Sequence, residues 1–162
     1  MQGWKNAVLN DWQINAIVSL QTGFPFTVLS GTDRSLSGIG NDYADQVGNP
    51  ARPAGVNKIK EYFNTAAFVP ATIGTFGNIG RNTLRGPGYA DVDTSIFKNM
   101  FTGERVSAQF QAEAFNTFNR VNFGNPSNAG TAPVATVSSG TYGQITSANS
   151  PRVFQFGLKL MF

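Results

Sequence analysis

The side chains able to do chemistry in this chain are few, and their types narrow the possibilities at once. Its 162 residues include no histidine and no cysteine, which leaves carboxylates, hydroxyls, amides and guanidinium groups. Asp91 and Asp93 flank Val92, so on an extended strand they share one face, where paired carboxylates can exchange a proton or hold a hard cation. Asp42 and Asp45, in G-N-D-Y-A-D-Q, could offer oxygens to Ca²⁺ alongside backbone carbonyls, but their spacing fits no calcium-loop signature. Arg81, Asn82, Arg85 and Tyr89 form the most distinctive polar cluster, within a Gly-rich segment, and guanidinium groups there suit an anionic or hydroxyl-rich solute. Arg120 and Asn122 carry the same chemistry further along. Each group also has a plainer reading. Carboxylates on a water-facing strand side are expected without catalysis, and the arginines can pin a loop or pair with lipopolysaccharide or with acids such as Asp91. We expect no enzyme, no metal and no cofactor, and favour loop pinning over ligand contact for the arginines.

The elements that would position these groups are strands of period two. At the C-terminus Phe154, Phe156, Leu158, Leu160 and Phe162 occupy even positions, while Gln155, Gly157 and Lys159 occupy odd ones. One face is therefore apolar and the other mostly polar, and eleven tilted residues are about what a bilayer-spanning strand needs. The same parity runs through Trp12, Ile14, Ala16, Val18 and Leu20 and on into Phe24, Phe26 and Val28, predicting a first strand over about 12–28 with Pro25 at its weakening end. It returns at Val92, Thr94 and Ile96 (strand about 91–100) and at Val106, Ala108, Phe110, Ala112 and Ala114 (strand about 104–118), and ends with the strand at 152–162. Even-numbered residues are expected to face lipid. Between these strands lie two loops, 29–90 and 119–151, rich in Gly, Asn, Asp, Pro and Ser. Within the first, the spacing of Val56, Ile59, Tyr62, Phe63, Ala66 and Ala67 suits either a short helix near 57–63 or irregular packing.

Charged residues make up 13% of the chain, Gly numbers 18 and Phe 14, a β-rich and loop-rich composition. A net charge of +3, scattered and without any basic run, argues against a nucleic-acid partner. No window approaches eighteen apolar residues, which excludes a transmembrane helix but not a barrel, where every second residue faces water. The start, M-Q-G-W-K-N, has no signal segment, so an export signal is expected upstream. Connections run very long, four residues (F-T-G-E, 101–104), then long. With the C-terminus periplasmic, the short turn is periplasmic and both long loops are extracellular, as in outer-membrane barrels. Trp12, Phe101 and Phe162 then fall at periplasmic strand ends, where an interfacial aromatic girdle belongs.

Several blocks in order resemble the C-terminal barrel of the Oar-like TonB-dependent outer-membrane receptors. They are L-Q-T-G-F-P-F-T-V (20–28), F-G-N-I-G-R-N-T-L-R-G-P-G (76–88), D-V-D-T-S-I-F-K-N (91–99) and E-A-F-N-T-F-N-R-V-N-F-G-N-P (113–126). The fold expected is thus all-β: a four-stranded antiparallel transmembrane sheet, part of a large outer-membrane barrel, with two long extracellular loops. The resemblance implies an N-terminal carboxypeptidase-regulatory-like domain, a plug, and partners that include outer-membrane lipid and lipopolysaccharide, the barrel-assembly machinery, the remainder of the barrel and an extracellular solute. It further implies that the row from Phe154 to Phe162 is the assembly signal. Two rivals remain: a surface adhesion or structural barrel without transport, and a soluble, secreted carbohydrate-binding β-sandwich.

Overall fold

Period-two alternation over nine or more residues is the local pattern a long half-buried strand requires, and the chain forms such strands in four places. The computed structural model describes residues 9–38, 40–101, 106–126 and 134–162. Among these the strands are β1 (Trp12–Gln21), β2 (Pro25–Leu29), β3 (Ala44–Gln46), β4 (Phe68–Pro70), β5 (Leu84–Arg85), β6 (Tyr89–Phe101), β7 (Ser107–Phe115), β8 (Val134–Thr136) and β9 (Val153–Met161), with one turn of 3₁₀ helix at Thr65–Ala67. They divide into two units. One comprises the described residues of Met1–Leu20, Ala90–Val121 and Ser150–Phe162; the other comprises Gln21–Tyr89 and Asn122–Asn149.

The first unit is a four-stranded sheet in the order β1-β6-β7-β9. β6 and β7 pair antiparallel from Thr94↔Ala114 to Phe101↔Ser107, and β7 pairs antiparallel with β9 from Ser107↔Met161 to Phe115↔Val153. The Asp11 carbonyl accepts the Asn99 N–H at 3.1 Å, which sets the start of β1 against the end of β6. The start of β1 and the ends of β6 and β9 therefore lie at one end of the sheet. The expected turn at 101–104 lies largely outside the described residues, with only Phe101, the last residue of β6, inside them.

The second unit is built largely from what the sequence presents as loop, together with the end of the expected first strand. β2 lies at the centre of a three-stranded sheet, antiparallel to β5 (Pro25↔Arg85, Phe26↔Leu84) and parallel to β8 (Thr27↔Val134 to Leu29↔Thr136); β3 and β4 form a separate antiparallel pair. Its core gathers Phe26, Val28, Ala44, Phe63, Ala67, Phe68, Ile79 and Ala135. Phe63 is the hub, with ring centroids 5.7 Å from Phe26, 5.7 Å from Phe68 and 5.4 Å from Tyr142. Such tilted and edge-on aromatic pairs contribute beyond their area alone.

One expectation is corrected here, and one open alternative is decided. The strand expected over 12–28 ends at Gln21, and Phe26 and Val28, read as lipid-facing, are 0% exposed in the core of the second unit. The physical cause is a close backbone approach. A Cβ on Gly23 would overlap the Gly86 carbonyl, and the Gly86 N–H donates to the Phe24 carbonyl at 2.9 Å, so T-G-F-P turns away to pair with R-G-P-G. The stretch near 57–63 is not helical but a run of turns; a single 3₁₀ turn follows at Thr65–Ala67, its N-cap Asn64 accepting the Ala66 N–H at 3.2 Å.

Candidate functional site

Cross-strand register in the first unit decides which side chains share a face. The even face carries Trp12, Ile14, Val18 and Leu20 from β1, Val92, Ile96 and Met100 from β6, Ala108, Phe110, Ala112 and Ala114 from β7, and Phe154, Phe156, Leu158 and Leu160 from β9. Phe156 is 69% exposed, Phe162 97% and Ile14 72%. Phe110 and Phe156 stack at 6.4 Å. A continuous apolar face of this extent is not presented to water by a soluble monomer. The odd face is more polar: Ser95 aligns with Glu113 and Gln155, and Asn99 with Gln109 and Lys159, where the Gln109 amide donates to Asn99 Oδ1 at 2.8 Å, although Ile17, Phe97, Phe115, Val153 and Met161 share that parity.

Two polar residues interrupt the even face. Thr94 Oγ1 lies 3.0 Å from Thr117 Oγ1. Lys98 is only 6% exposed; its ammonium donates to the Asn10 carbonyl and lies 5.4 Å from the centre of the Trp12 ring. Lys98 stands near the end of β6, at the same end of the sheet as Trp12, where a long stem can cover apolar surface while its charge meets a polar partner.

At the opposite end, Asn116 and Asn119 follow β7 with φ of 51° each, left-handed backbone that asparagine tolerates better than most residues. The Asn116 N–H donates to Asp93 Oδ1 at 2.9 Å. Its side-chain amide donates to the Arg120 carbonyl at 2.9 Å, and its Oδ1 accepts the Arg120 N–H at 2.8 Å. Thr117 N–H donates to the Val92 carbonyl at 2.8 Å, and Asn119 Oδ1 accepts the Arg152 N–H at 3.1 Å. The block F-N-T-F-N-R thereby ties the start of β6, the end of β7 and the start of β9 together. Asp93 serves that knot, while Asp91 accepts the Val92 N–H at 3.0 Å.

In the second unit the candidate polar residues separate. Arg81 is exposed; Asn82, at φ 59°, donates its N–H to Thr27 Oγ1 at 2.8 Å and so fastens the segment before β5 to β2. Arg85 is exposed, with a long 3.4 Å contact from a guanidinium N–H to the Gly23 carbonyl. Tyr89 opens β6, half-buried. Asn122 is buried, its carbonyl accepting the Asn149 N–H at 2.8 Å, whereas Arg120 belongs to the knot of the first unit. Asp42 and Asp45 serve different partners: Asp42 Oδ2 accepts the N–H groups of Arg34 and Ser35 at 2.6 Å each, and Asp45 Oδ1 accepts that of Asn78 at 2.9 Å.

The Ser35 N–H above all, opposed by burial and helped by the Ser35 hydroxyl and the Arg34 N–H, holds the Asp42 carboxyl below its ordinary 3.8. A carboxylate depressed in the folded state stabilises fully above its unfolded value and loses that contribution as pH falls through its folded value. The amides of Ser30, Arg34, Ser35 and Asp42, followed by hydrogen exchange corrected for intrinsic rates, should stay protected from neutral pH down to about 4 and open below it. Asp42→Asn should be open already at neutral pH and respond much less to acid.

One feature of this unit was not legible in the sequence: a cavity of about 470 Å³ lined by Phe26, Phe63, Leu84, Tyr62, Arg52, Lys58 and Arg85, together with the backbone-rich turn Asn49–Ala51. Its floor is the buried core and its rim carries three cations. Their separation in sequence leaves no local signal.

A sheet of membrane-spanning length, apolar on one face and more polar on the other, is the wall of a β-barrel of the outer-membrane type. A family model for an outer membrane beta barrel domain matches residues 1–155, and the chain belongs to that family; its place is the outer membrane. No curated protein and no solved structure matches the chain.

Proposed function

We propose that this chain is the C-terminal portion of a TonB-dependent outer-membrane receptor of the Oar-like kind. The observation that carries the reading is the pairing of a lipid-faced wall with a second unit that has a core of its own, where a purely structural barrel needs only short connections. The ordered blocks that resemble those receptors account for this packing: T-G-F-P-F, L-R-G-P-G and F-G-N-P meet in the second unit, where a Cβ on Gly23 would overlap Gly86 and one on Gly86 would overlap the Asn125 side chain. In this reading β1 and β9, the outer strands of the sheet, pair with the remainder of the barrel. The row Phe154, Phe156, Leu158, Leu160 and Phe162 is read by the barrel-assembly machinery, and the second unit forms part of an extracellular mouth for a solute. The protein binds and passes solute without catalysis, and lipopolysaccharide and lipid are its surroundings.

Energy coupling separates this reading from an adhesion barrel. Full-length protein purified in detergent should retain the periplasmic domain of TonB on an affinity column, and more of it when a transported solute is bound. A barrel that assembles in the outer membrane yet never retains TonB is an adhesion or structural barrel instead.

A further inference from the structure

We propose that the cavity of the second unit binds a small organic anion, a carboxylate or sulfonate carried on a flat apolar body. The proposal rests on the receptor reading above and gives its mouth a ligand class. The floor, Phe26 and Phe63, is almost wholly buried and fixed by the ring cluster, so the apolar surface at the base of the cavity is preformed. Tyr62 stands against it, its phenol pushed up by burial against the opposing pull of the nearby Arg52. Around the rim Arg52, Lys58 and Arg85 are exposed, and the lining contains no carboxylate among the described residues. The neighbouring acid, Glu61, accepts instead from the Thr65 N–H at 3.1 Å and the Thr65 hydroxyl at 2.9 Å. Lys58 lies 5.0 Å from the centre of the Phe123 ring, which holds its charge beside the cavity.

Three like charges around one concavity repel, and an anion seated among them relieves that repulsion while its hydrogen bonds gain strength from charge. The alternatives fit less well. A hard cation needs carboxylate oxygens, which the described lining lacks. A neutral sugar gains nothing from three cations, and an inorganic anion leaves the aromatic floor wet.

Equilibrium dialysis of the full-length protein in lipid nanodiscs, with empty nanodiscs subtracted, tests this using 2-naphthoate and the neutral 2-naphthol. Naphthoate should bind at least about tenfold more tightly, and Arg52→Ala or Lys58→Ala should each weaken it about 3- to 10-fold while leaving naphthol unchanged. Lys60→Ala, an exposed cation outside the lining, should leave both unchanged. Equal binding of naphthol, indifference to Arg52 and Lys58, or displacement of naphthoate by stoichiometric lipopolysaccharide would each overturn the proposal. TonB retention measured on the same preparation keeps the two readings apart: retention without naphthoate binding removes the cavity ligand alone.

Discussion

Phe156→Lys should strip the folded barrel from the outer membrane, while Gln155→Lys, one residue away, should leave it in place. Phe156 lies mid-β9 opposite Ala112 on the apolar face and stacks on Phe110. A lysine on the lipid side near the bilayer midplane costs about 2–4 kcal/mol, and loss of the aromatic pair adds about 0.5–1.5 kcal/mol. Gln155 lies on the polar face opposite Glu113, where a lysine gains a partner of opposite charge. The measurement is the heat-modifiable fraction in purified outer membranes, with urea unfolding in vesicles giving the energy. Equal loss from both variants would mean that the two faces do not differ and would remove the membrane assignment of the sheet.

The second large effect is expected in the other unit. Gly23→Ala places a methyl group on the Gly86 carbonyl, backbone against backbone, with the Pro87 carbonyl oxygen 3.0 Å away on the same side. Neither neighbour is a flexible side chain that can give way, so β2 and β5 must separate. Overpacking of this kind costs about 1–3 kcal/mol or more. Amides of Phe26–Leu29 should lose hydrogen-exchange protection, and naphthoate binding should fall with them, since Phe26 floors the cavity. Gly140→Ala is the matched control, because a Cβ there meets nothing within 4 Å. Protection unchanged in Gly23→Ala would show that the T-G-F-P and R-G-P-G segments do not touch.

The four wall strands were legible because lipid acts on each residue separately. A side chain facing hydrocarbon must be apolar whatever its neighbours are, so Phe154 to Phe162, or Ala108 to Ala114, carry their facing in the bare sequence. The strand expected to run to about 118 stops at Phe115, and the knot in which Asn116 satisfies Asp93 and Arg120 at once was not legible, because those partners are set by the register of β6 against β7. The surroundings of Lys98, with the Trp12 ring and the Asn10 carbonyl beside it, are likewise set by the pairing of β1 with β6 and carry no local signal.

Parity fails where two environments ask for the same pattern. Phe24, Phe26 and Val28 continue the alternation of β1, yet β2 belongs to a different sheet. A strand facing lipid and a strand facing a protein core both alternate, and only the close contact of Gly23 with Gly86 separates them. The sequence by itself determined an all-β wall with one apolar face, because that demand is local and repeats at every second residue. Tertiary structure alone decided that residues on either side of β6 and β7 would assemble around Phe63, and that Arg52, Lys58 and Arg85 would ring one cavity. Such contacts depend on the path of the chain through space, and neither period nor composition records it.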